Sequence, residues 1–287
     1  MLSPASSANS RALPVTGRLS RLPWWALVTA FLGLLFVWQI ATSASYQEIF
    51  NSIISGIFLT VFVTIVAFGL SLLVGLLLAF ARLSKRPLIY QTATFFVENI
   101  RGIPMLVLLL YVAFVFVPGV VDALNALGTS LAANSSPLLA AIGAAFPTLR
   151  ARDVNNTARV IIALVIAYSV FLSEVYRAGI ESVDKGQMEA ARSLGMTQRQ
   201  AMLHVVLRQG IRNVLPALGN DFISMLKDSS LVSVLGVQDI TGLGRVYAAG
   251  NFKFFETYNV MAFLYLAMTL ILSIIVRWVE RRTARQA

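Results

Sequence analysis

Residues 53–81 read IISGIFLTVFVTIVAFGLSLLVGLLLAFA and contain no charged side chain. A stretch this long and apolar predicts a transmembrane helix, because about 20 such residues cross the hydrocarbon core of a bilayer. At about 1.5 Å of rise per residue the stretch is longer than a core of ~30 Å. We therefore expect this helix to tilt or to project from the membrane.

Other apolar runs on both sides of this stretch are also candidates for crossing the membrane. These runs are residues 23–40, 95–117, 160–178, 215–235 and 260–276. Together with residues 53–81 they predict an all-α polytopic membrane protein with about six transmembrane helices. The run 215–235 carries Asp221, Lys227 and Asp228, which a helix facing lipid tolerates poorly, so we expect other helices to shield it.

The overall composition agrees with a membrane protein and excludes several functional classes. Hydrophobic residues make up 57% of the 287 and charged residues 13%, whereas soluble domains carry about 25% charged residues. The absence of cysteine excludes disulfides, thiol catalysis and thiolate metal sites. The single histidine, His204, has no H-E-x-x-H or Ser-His-Asp context, so no catalytic or metal constellation is legible and we expect no enzyme activity.

The net charge of +10 is distributed in short basic clusters between the apolar runs. A nucleic-acid-binding protein would instead show one basic face or stripe, so no nucleic-acid partner is expected. With six spans, most of the 23 lysines and arginines lie on the same side as both termini. Cytoplasmic loops are rich in these residues, so both termini are predicted to be cytoplasmic.

Residues 183–207, VDKGQMEAARSLGMTQRQAMLHVVL, form a loop between the fourth and fifth runs that has a strong helical pattern. We expect a first helix with Met188, Ala191 and Leu194 on one apolar face, ended by Gly195 in a left-handed cap. Thr197 and Gln200 then form a capping box that opens a second helix. This hairpin can insert into a groove of a partner protein or lie on the lipid surface, and these residues alone leave both open.

Several segments resemble the permease subunits of bacterial ATP-binding-cassette importers. Glu189-Ala190-Ala191 followed by Gly195 is similar to the E-A-A…G signature of that class. Residues 101–104, 179–187 and 226–231 resemble its polar amino-acid branch, and the likeness covers most of residues 48–280 except 118–159. One departure is that Leu207 precedes Arg208, where members usually have proline, which predicts a straighter second helix.

The resemblance implies a function and a set of partners. The chain would form half of the membrane pathway of an importer of polar amino acids in the bacterial plasma (inner) membrane. Its partners would be an ATPase subunit, an extracytoplasmic substrate-binding protein, and a second permease, as a homodimer or a heterodimer. The chain has no G-x-x-x-x-G-K-[ST] motif, so it binds no cofactor itself and ATP is used by the partner. The loop residues that would couple to the ATPase are Asp184, Gly186, Gln187, Glu189, Ala190, Ala191 and Gly195.

Charged residues within the predicted spans are candidates for the substrate pathway. Glu98 with Arg101, and Lys227 with Asp228, supply the donors and acceptors that a zwitterionic amino acid needs. The alternative is that these charges pair internally and lock helices together. For Glu174 and Arg177, which are spaced i, i+3, internal pairing is the favoured interpretation.

The predicted organisation follows from these assignments. Residues 1–22 form a disordered cytoplasmic tail, residues 23–45 the first transmembrane helix, and residues 46–280 the permease domain. That domain contains an external insertion at 118–159 and the coupling loop at 183–207, and residues 281–287 form a basic tail. Two alternatives stay open: the first run is a signal peptide, or the chain is a secondary transporter driven by an ion gradient.

Overall fold

The described part of the chain in the computed structural model comprises residues 24–134, 136–145 and 149–284, and it contains helices but no strands. The predicted all-α class is therefore confirmed. The predicted 1–22 tail, and residues 285–287 of the predicted C-terminal tail, lie outside the described residues.

The helices follow one another with short connections. In the first half of the chain they are α1 (Trp24–Thr42), α2 (Ala44–Ile53), α3 (Gly56–Arg82), α4 (Pro87–Arg101), α5 (Met105–Tyr111), α6 (Val117–Ala132) and α7 (Pro137–Ala145). In the second half they are α8 (Asn156–Glu181), α9 (Lys185–Ser193), α10 (Gln198–Ala201), α11 (Leu207–Asp228), α12 (Ile240–Asn251) and α13 (Phe254–Ala284). Two π-helical turns, Val112–Phe116 and Met202–Val206, join α5 to α6 and α10 to α11.

Four helical stretches among the described residues are long and apolar enough to cross a membrane. They are Ala44–Arg82, Met105–Ala132, Asn156–Glu181 and Phe254–Thr283, and a shorter apolar helix covers Leu27–Thr42. The chain is thus a polytopic membrane protein. The described residues divide into two compact units at Glu48: the first contains α1, and the second contains the remaining long helices.

The third span begins later than the sequence pattern predicts. The expected run 95–117 is interrupted after Arg101, and a new helical stretch extends from Met105 to Ala132. Pro104 causes the break, because proline has no N–H to donate and disfavours helical geometry in the residue before it. Glu98 and Arg101 consequently lie on the preceding helix α4, outside the apolar stretch.

The fifth predicted span also differs in its bounds. Helix α11 already begins at Leu207, and a 3₁₀ segment Ser229–Leu235 follows it, ended by Gly236 at a φ of 75°. This helix is not among the four apolar stretches, as its acidic and basic side chains lead us to expect. It packs instead against α8 and α13.

Helices α3 and α8 approach each other closely along a stripe of small residues. Ser71, Gly75 and Ala79 of α3 are all buried. A Cβ on Gly75 would lie 2.9 Å from the Cβ of Leu172 and 3.0 Å from the carbonyl oxygen of Ser169, both on α8. The stripe therefore forms an internal contact rather than a surface for a second subunit.

We expect Gly75→Leu to lower the free energy of unfolding by about 1–3 kcal/mol, since overpacking a close helix contact forces the backbones apart. Detergent-based denaturation followed by circular dichroism measures the change. Gly69→Leu on the same helix is the matched control, because a Cβ at Gly69 meets no atom within 4 Å. Equal stability of the two variants would contradict the proposed role of Gly75.

Candidate functional site

The loop between α8 and α11 folds as a helical hairpin, and Asp184 begins its first helix. The side chain of Asp184 accepts a 2.7 Å hydrogen bond from the backbone N–H of Gly186. A Cβ on Gly186 would lie 2.7 Å from Oδ1 of Asp184. The glycine therefore leaves room for the aspartate to satisfy one of the free N–H groups at the start of α9.

Gly195 ends α9 in the left-handed conformation, with a φ of 86°, which confirms the predicted cap. The N–H of Gly195 donates to the carbonyl of Arg192 at 3.0 Å, and the N–H of Met196 donates to the carbonyl of Ala191 at 3.2 Å. These two bonds form a Schellman motif. The motif reverses the chain direction within two residues and so sets the angle of the hairpin.

The second helix of the hairpin begins at the predicted capping box. The N–H of Gln200 donates to the hydroxyl of Thr197 at 3.3 Å, and the N–H of Thr197 donates to Oε1 of Gln200 at 2.9 Å. The helical segment then continues through the π turn Met202–Val206 into α11. Arg208, at the position where proline was expected, lies inside this continuous helical segment.

The predicted apolar face of α9 is only partly correct. Ala191 is 4% exposed and Met188 is half-buried, but Leu194 is 83% exposed. At 3.6 residues per turn, a residue six positions after Met188 is rotated by about 120° from it, so it cannot share that face. Glu189, Ala190 and Leu194 instead form part of the outward surface of the hairpin.

The base of the hairpin is joined to both adjoining helices. Gly179 of α8 and Gly210 of α11 meet backbone to backbone, since a Cβ on Gly179 would lie 2.7 Å from the carbonyl oxygen of Gly210. The amide of Asn213 donates to the hydroxyl of Ser182 at 2.9 Å. Direct contacts between α8 and α11 therefore close the base of the hairpin.

A network of ion pairs connects the end of α3 to α4 and α8. Glu174 is its centre, and its Oε1 accepts hydrogen bonds from Arg82 and, at 3.2 Å, from Arg101. Its Oε2 lies 2.9 Å from Nη2 of Arg177, which confirms the predicted internal pair. Glu98 pairs with Arg82 at 3.5 Å. Arg177 also pairs with Glu181 at 2.8 Å.

The two residues Lys227 and Asp228 point in different directions, as their adjacent positions require. Asp228 accepts a 2.7 Å hydrogen bond from the hydroxyl of Tyr168 on α8, whereas Lys227 is exposed. Arg101 also contacts α8, at Glu174. One residue of each candidate pair, Arg101 or Asp228, thus contacts α8. The contacted residues of α8 are six positions apart, which corresponds to a rise of about 9 Å along the helix.

The sequence did not indicate a particular role for Arg82. The side chain of Arg82 is 9% exposed and bridges Glu98 and Glu174. The one signal that the sequence offered was the position of Arg82, directly after the uncharged apolar run. Glutamates of other predicted spans lie near the ends of those spans as well. No spacing rule identifies these partners, because Glu174 lies 92 residues away in the sequence.

Comparison with known families accounts for this combination of apolar helices and an exposed helical hairpin. Residues 71–285 match the family described as binding-protein-dependent transport system inner membrane component. The chain belongs to this family. Membership makes it a permease component of a transport system of the inner membrane, a class that is distinct from enzymes. Among the described residues there is no cluster of His, Asp or Glu that could bind a metal ion.

Curated members of the family cover most of the chain. The probable amino-acid permease protein YxeN of Bacillus subtilis is 34% identical over 248 residues, which are 86% of this chain and 96% of that protein. The glutamine transport system permease protein GlnP of Escherichia coli K12 is 30% identical over 80% of this chain and 92% of its own.

Solved structures of ABC transporters have the same fold. A structure of an amino acid ABC transporter with histidines matches at 35% identity and a TM-score of 0.63, covering 83% of this chain and 95% of that one. The inward-facing MetNI methionine ABC transporter matches at the same TM-score but 16% identity, covering 84% and 99%, so it supports the fold alone.

Proposed function

We propose that this chain forms half of the transmembrane pathway of an ATP-driven importer of amino acids. Its relatives include a probable amino-acid permease and a glutamine permease, which supports this substrate class. A separate ATPase subunit uses the ATP, an extracytoplasmic binding protein delivers the substrate, and a second permease completes the pathway. The chain itself catalyses no reaction and holds no cofactor.

The observation that carries this proposal is the exposed hairpin with its three defined caps. Its coupling residues are Asp184, Gly186, Gln187, Glu189, Ala190, Ala191 and Gly195. Asp184, Gly186 and Gly195 set its shape, while Gln187, Glu189 and Ala190 are exposed on its surface. The hairpin inserts into a groove of the ATPase, and its contacts with α8 and α11 convert ATPase closure into helix movement.

The same proposal includes six spans with both termini in the cytoplasm. The four apolar stretches, the α1 helix and the partly polar α11 supply these six. Because the hairpin and the basic end of α13 then share one side, most lysines and arginines are cytoplasmic, as membrane proteins prefer. Residues 118–159, which include α6 after Val117 and all of α7, would lie outside, so the Met105–Ala132 stretch would project from the membrane on that side.

We assign Glu98, Arg101, Lys227 and Asp228 to the substrate pathway. The ion pairs of Glu98 and Arg101 place them between α3 and α8 at one level. At the other level Asp228 accepts a hydrogen bond from Tyr168, and Lys227 precedes it on an exposed part of α11. A zwitterionic amino acid requires charges of both signs, and each level provides one residue of each sign.

Reconstitution in proteoliposomes with the ATPase partner and the substrate-binding protein tests the proposed function. We expect uptake of labelled glutamine to require ATP and to persist when ionophores collapse all ion gradients. Glu189→Lys should reduce both uptake and transport-coupled ATP hydrolysis by about tenfold, the effect of losing roughly 1.4 kcal/mol of subunit interaction.

Asp122→Lys provides the matched control, since it is the same reversal of charge on an exposed acidic residue of α6, outside the hairpin. This variant should transport at the wild-type rate. Uptake that needs an ion gradient and no ATPase would instead identify the chain as a secondary transporter.

A further inference from the structure

Three adjoining cavities follow the surface where α11 packs against α13 and α3. Their volumes are about 370, 250 and 400 Å³. Phe222, Leu272 and Ile275 line both the first and the second cavity. Leu215 and Glu280 line both the second and the third. The three cavities, which together make up the groove, therefore adjoin one another along α13 toward its basic C-terminal end.

The walls of the groove are apolar over most of its length. The first two cavities are lined by aliphatic and phenylalanine side chains, with Thr64 and Glu280 as the only ionisable or hydroxyl-bearing side chains among the described residues that line them. Ile271 and Ile275 form an exposed rim on α13. At the floor of the groove Gly219 lets α11 approach α13 closely, since a Cβ there would lie 2.3 Å from Cγ1 of Val276. The groove is therefore narrow at this point. This shape fits a slender hydrocarbon chain.

The third cavity has a different chemistry. Arg212 of α11 and Arg281 and Glu280 of α13 line it, together with Asn213 and Thr283. Within the described ranges, none of these three charged side chains forms an ion pair. Two guanidinium groups and one carboxylate thus border the same pocket at the end of an apolar groove.

We propose that this groove binds a membrane phospholipid that carries an ammonium headgroup, as in phosphatidylethanolamine. One acyl chain lies against Phe222, Leu272 and Ile275, and the phosphate binds the guanidinium groups of Arg212 and Arg281. Glu280 accepts the ammonium group of the same headgroup. Basic pockets between transmembrane helices are typical binding sites for lipid phosphates. Arginine is also the residue best suited to phosphate because its planar donors bind two oxygens at once.

The charges favour this occupant over an apolar helix from a second permease subunit. A transmembrane helix could cover the apolar part of the groove but would leave Arg212 and Arg281 without an anion. A phospholipid satisfies the apolar groove and the charged pocket together. The groove is therefore a lipid site, and it does not depend on the substrate or the ATPase proposed above.

A photo-reactive benzoylphenylalanine at position 272 tests the site in the full importer complex, in nanodiscs of phosphatidylethanolamine and phosphatidylglycerol at equal amounts. Mass spectrometry of the irradiated chain then identifies what lies against the probe. We expect the ratio of phosphatidylethanolamine adducts to phosphatidylglycerol adducts to be well above the equal ratio of the two lipids in the nanodisc. The same probe at Leu266, an exposed residue of α13 that does not line the groove, should instead report the bulk ratio.

The double substitution Arg212→Gln and Arg281→Gln should reduce the preferential adduct by about thirty-fold, at about fivefold for each basic contact. Arg282→Gln is the matched control, because Arg282 lies 4.0 Å from the ring of Trp278 and does not line the pocket. Variants are compared only after they elute as intact complexes in size-exclusion chromatography.

Three results would overturn the proposal. The first is an adduct between position 272 and a second permease chain. The second is a lipid adduct in the bulk ratio that the double substitution leaves unchanged, as expected of ordinary boundary lipid. The third is an equal loss of adduct in the Arg282→Gln control.

Discussion

Gly195→Val is expected to reduce ATP-driven uptake by about tenfold without lowering the amount of folded protein in the membrane. A residue with a Cβ pays about 1–2 kcal/mol in the left-handed conformation, and a β-branched residue is a particularly poor fit there. Gly195 has a φ of 86°, and no atom lies within 4 Å of a Cβ built on it. The substitution therefore changes the angle between α9 and α10 rather than creating an internal clash.

Gly195→Asn separates backbone geometry from side-chain bulk, since asparagine adopts the left-handed conformation more readily than valine. We expect this variant to retain most of the transport. The measurement is the initial rate of uptake in proteoliposomes that contain the ATPase partner, normalised to the inserted chain. If both variants lose uptake equally, the ATPase groove excludes any side chain at this position. If valine is tolerated, the Schellman cap has no part in coupling.

Glu174→Gln is expected to produce the largest loss of stability, about 3 kcal/mol, the lower end of the range for removing one partner of a buried ion pair, because this pair is only partly buried. Glu174 is 20% exposed, and Arg82, which it pairs with, is 9% exposed. The substitution leaves Arg82 with only the longer contact to Glu98 and also removes an anion from Arg101 and Arg177. The loss should appear as a lower midpoint of unfolding in mild detergent.

Glu181→Gln is the matched control on the same helix and shares Arg177 as a partner. Its side chain is 52% exposed, and exposed ion pairs contribute only about 0–1 kcal/mol. A double substitution that also replaces Arg82 with glutamine should recover part of the stability lost in Glu174→Gln, because no buried charge is then left unpaired. Equal midpoints for the two single variants would show that the network is solvated.

The ion-pair network bears directly on the proposed pathway. Glu98 and Arg101 are engaged with Arg82 and Glu174, so a substrate that binds them must exchange with these internal partners. Removing Glu174 would therefore also alter the charge available to the substrate. For this reason the stability measurement should precede any interpretation of transport by the same variants.

The sequence by itself determined the features that depend on neighbouring residues. Uncharged runs of membrane length predicted the apolar helices, because the bilayer requires every backbone group to be bonded within a helix. The Gly195 cap and the Thr197–Gln200 capping box were predicted correctly, because each is closed by hydrogen bonds between residues fewer than six positions apart. The matched segments around Glu189 predicted the family for the same reason, since each is a contiguous motif.

Only the tertiary structure decided which distant residues meet. The pairing of Arg82 with Glu174 spans 92 residues, and the contact of Gly75 with Leu172 depends on where α3 and α8 cross. The physical reason is that long-range packing selects one arrangement from many that satisfy the same local pattern, so its contacts leave no fixed spacing in the sequence.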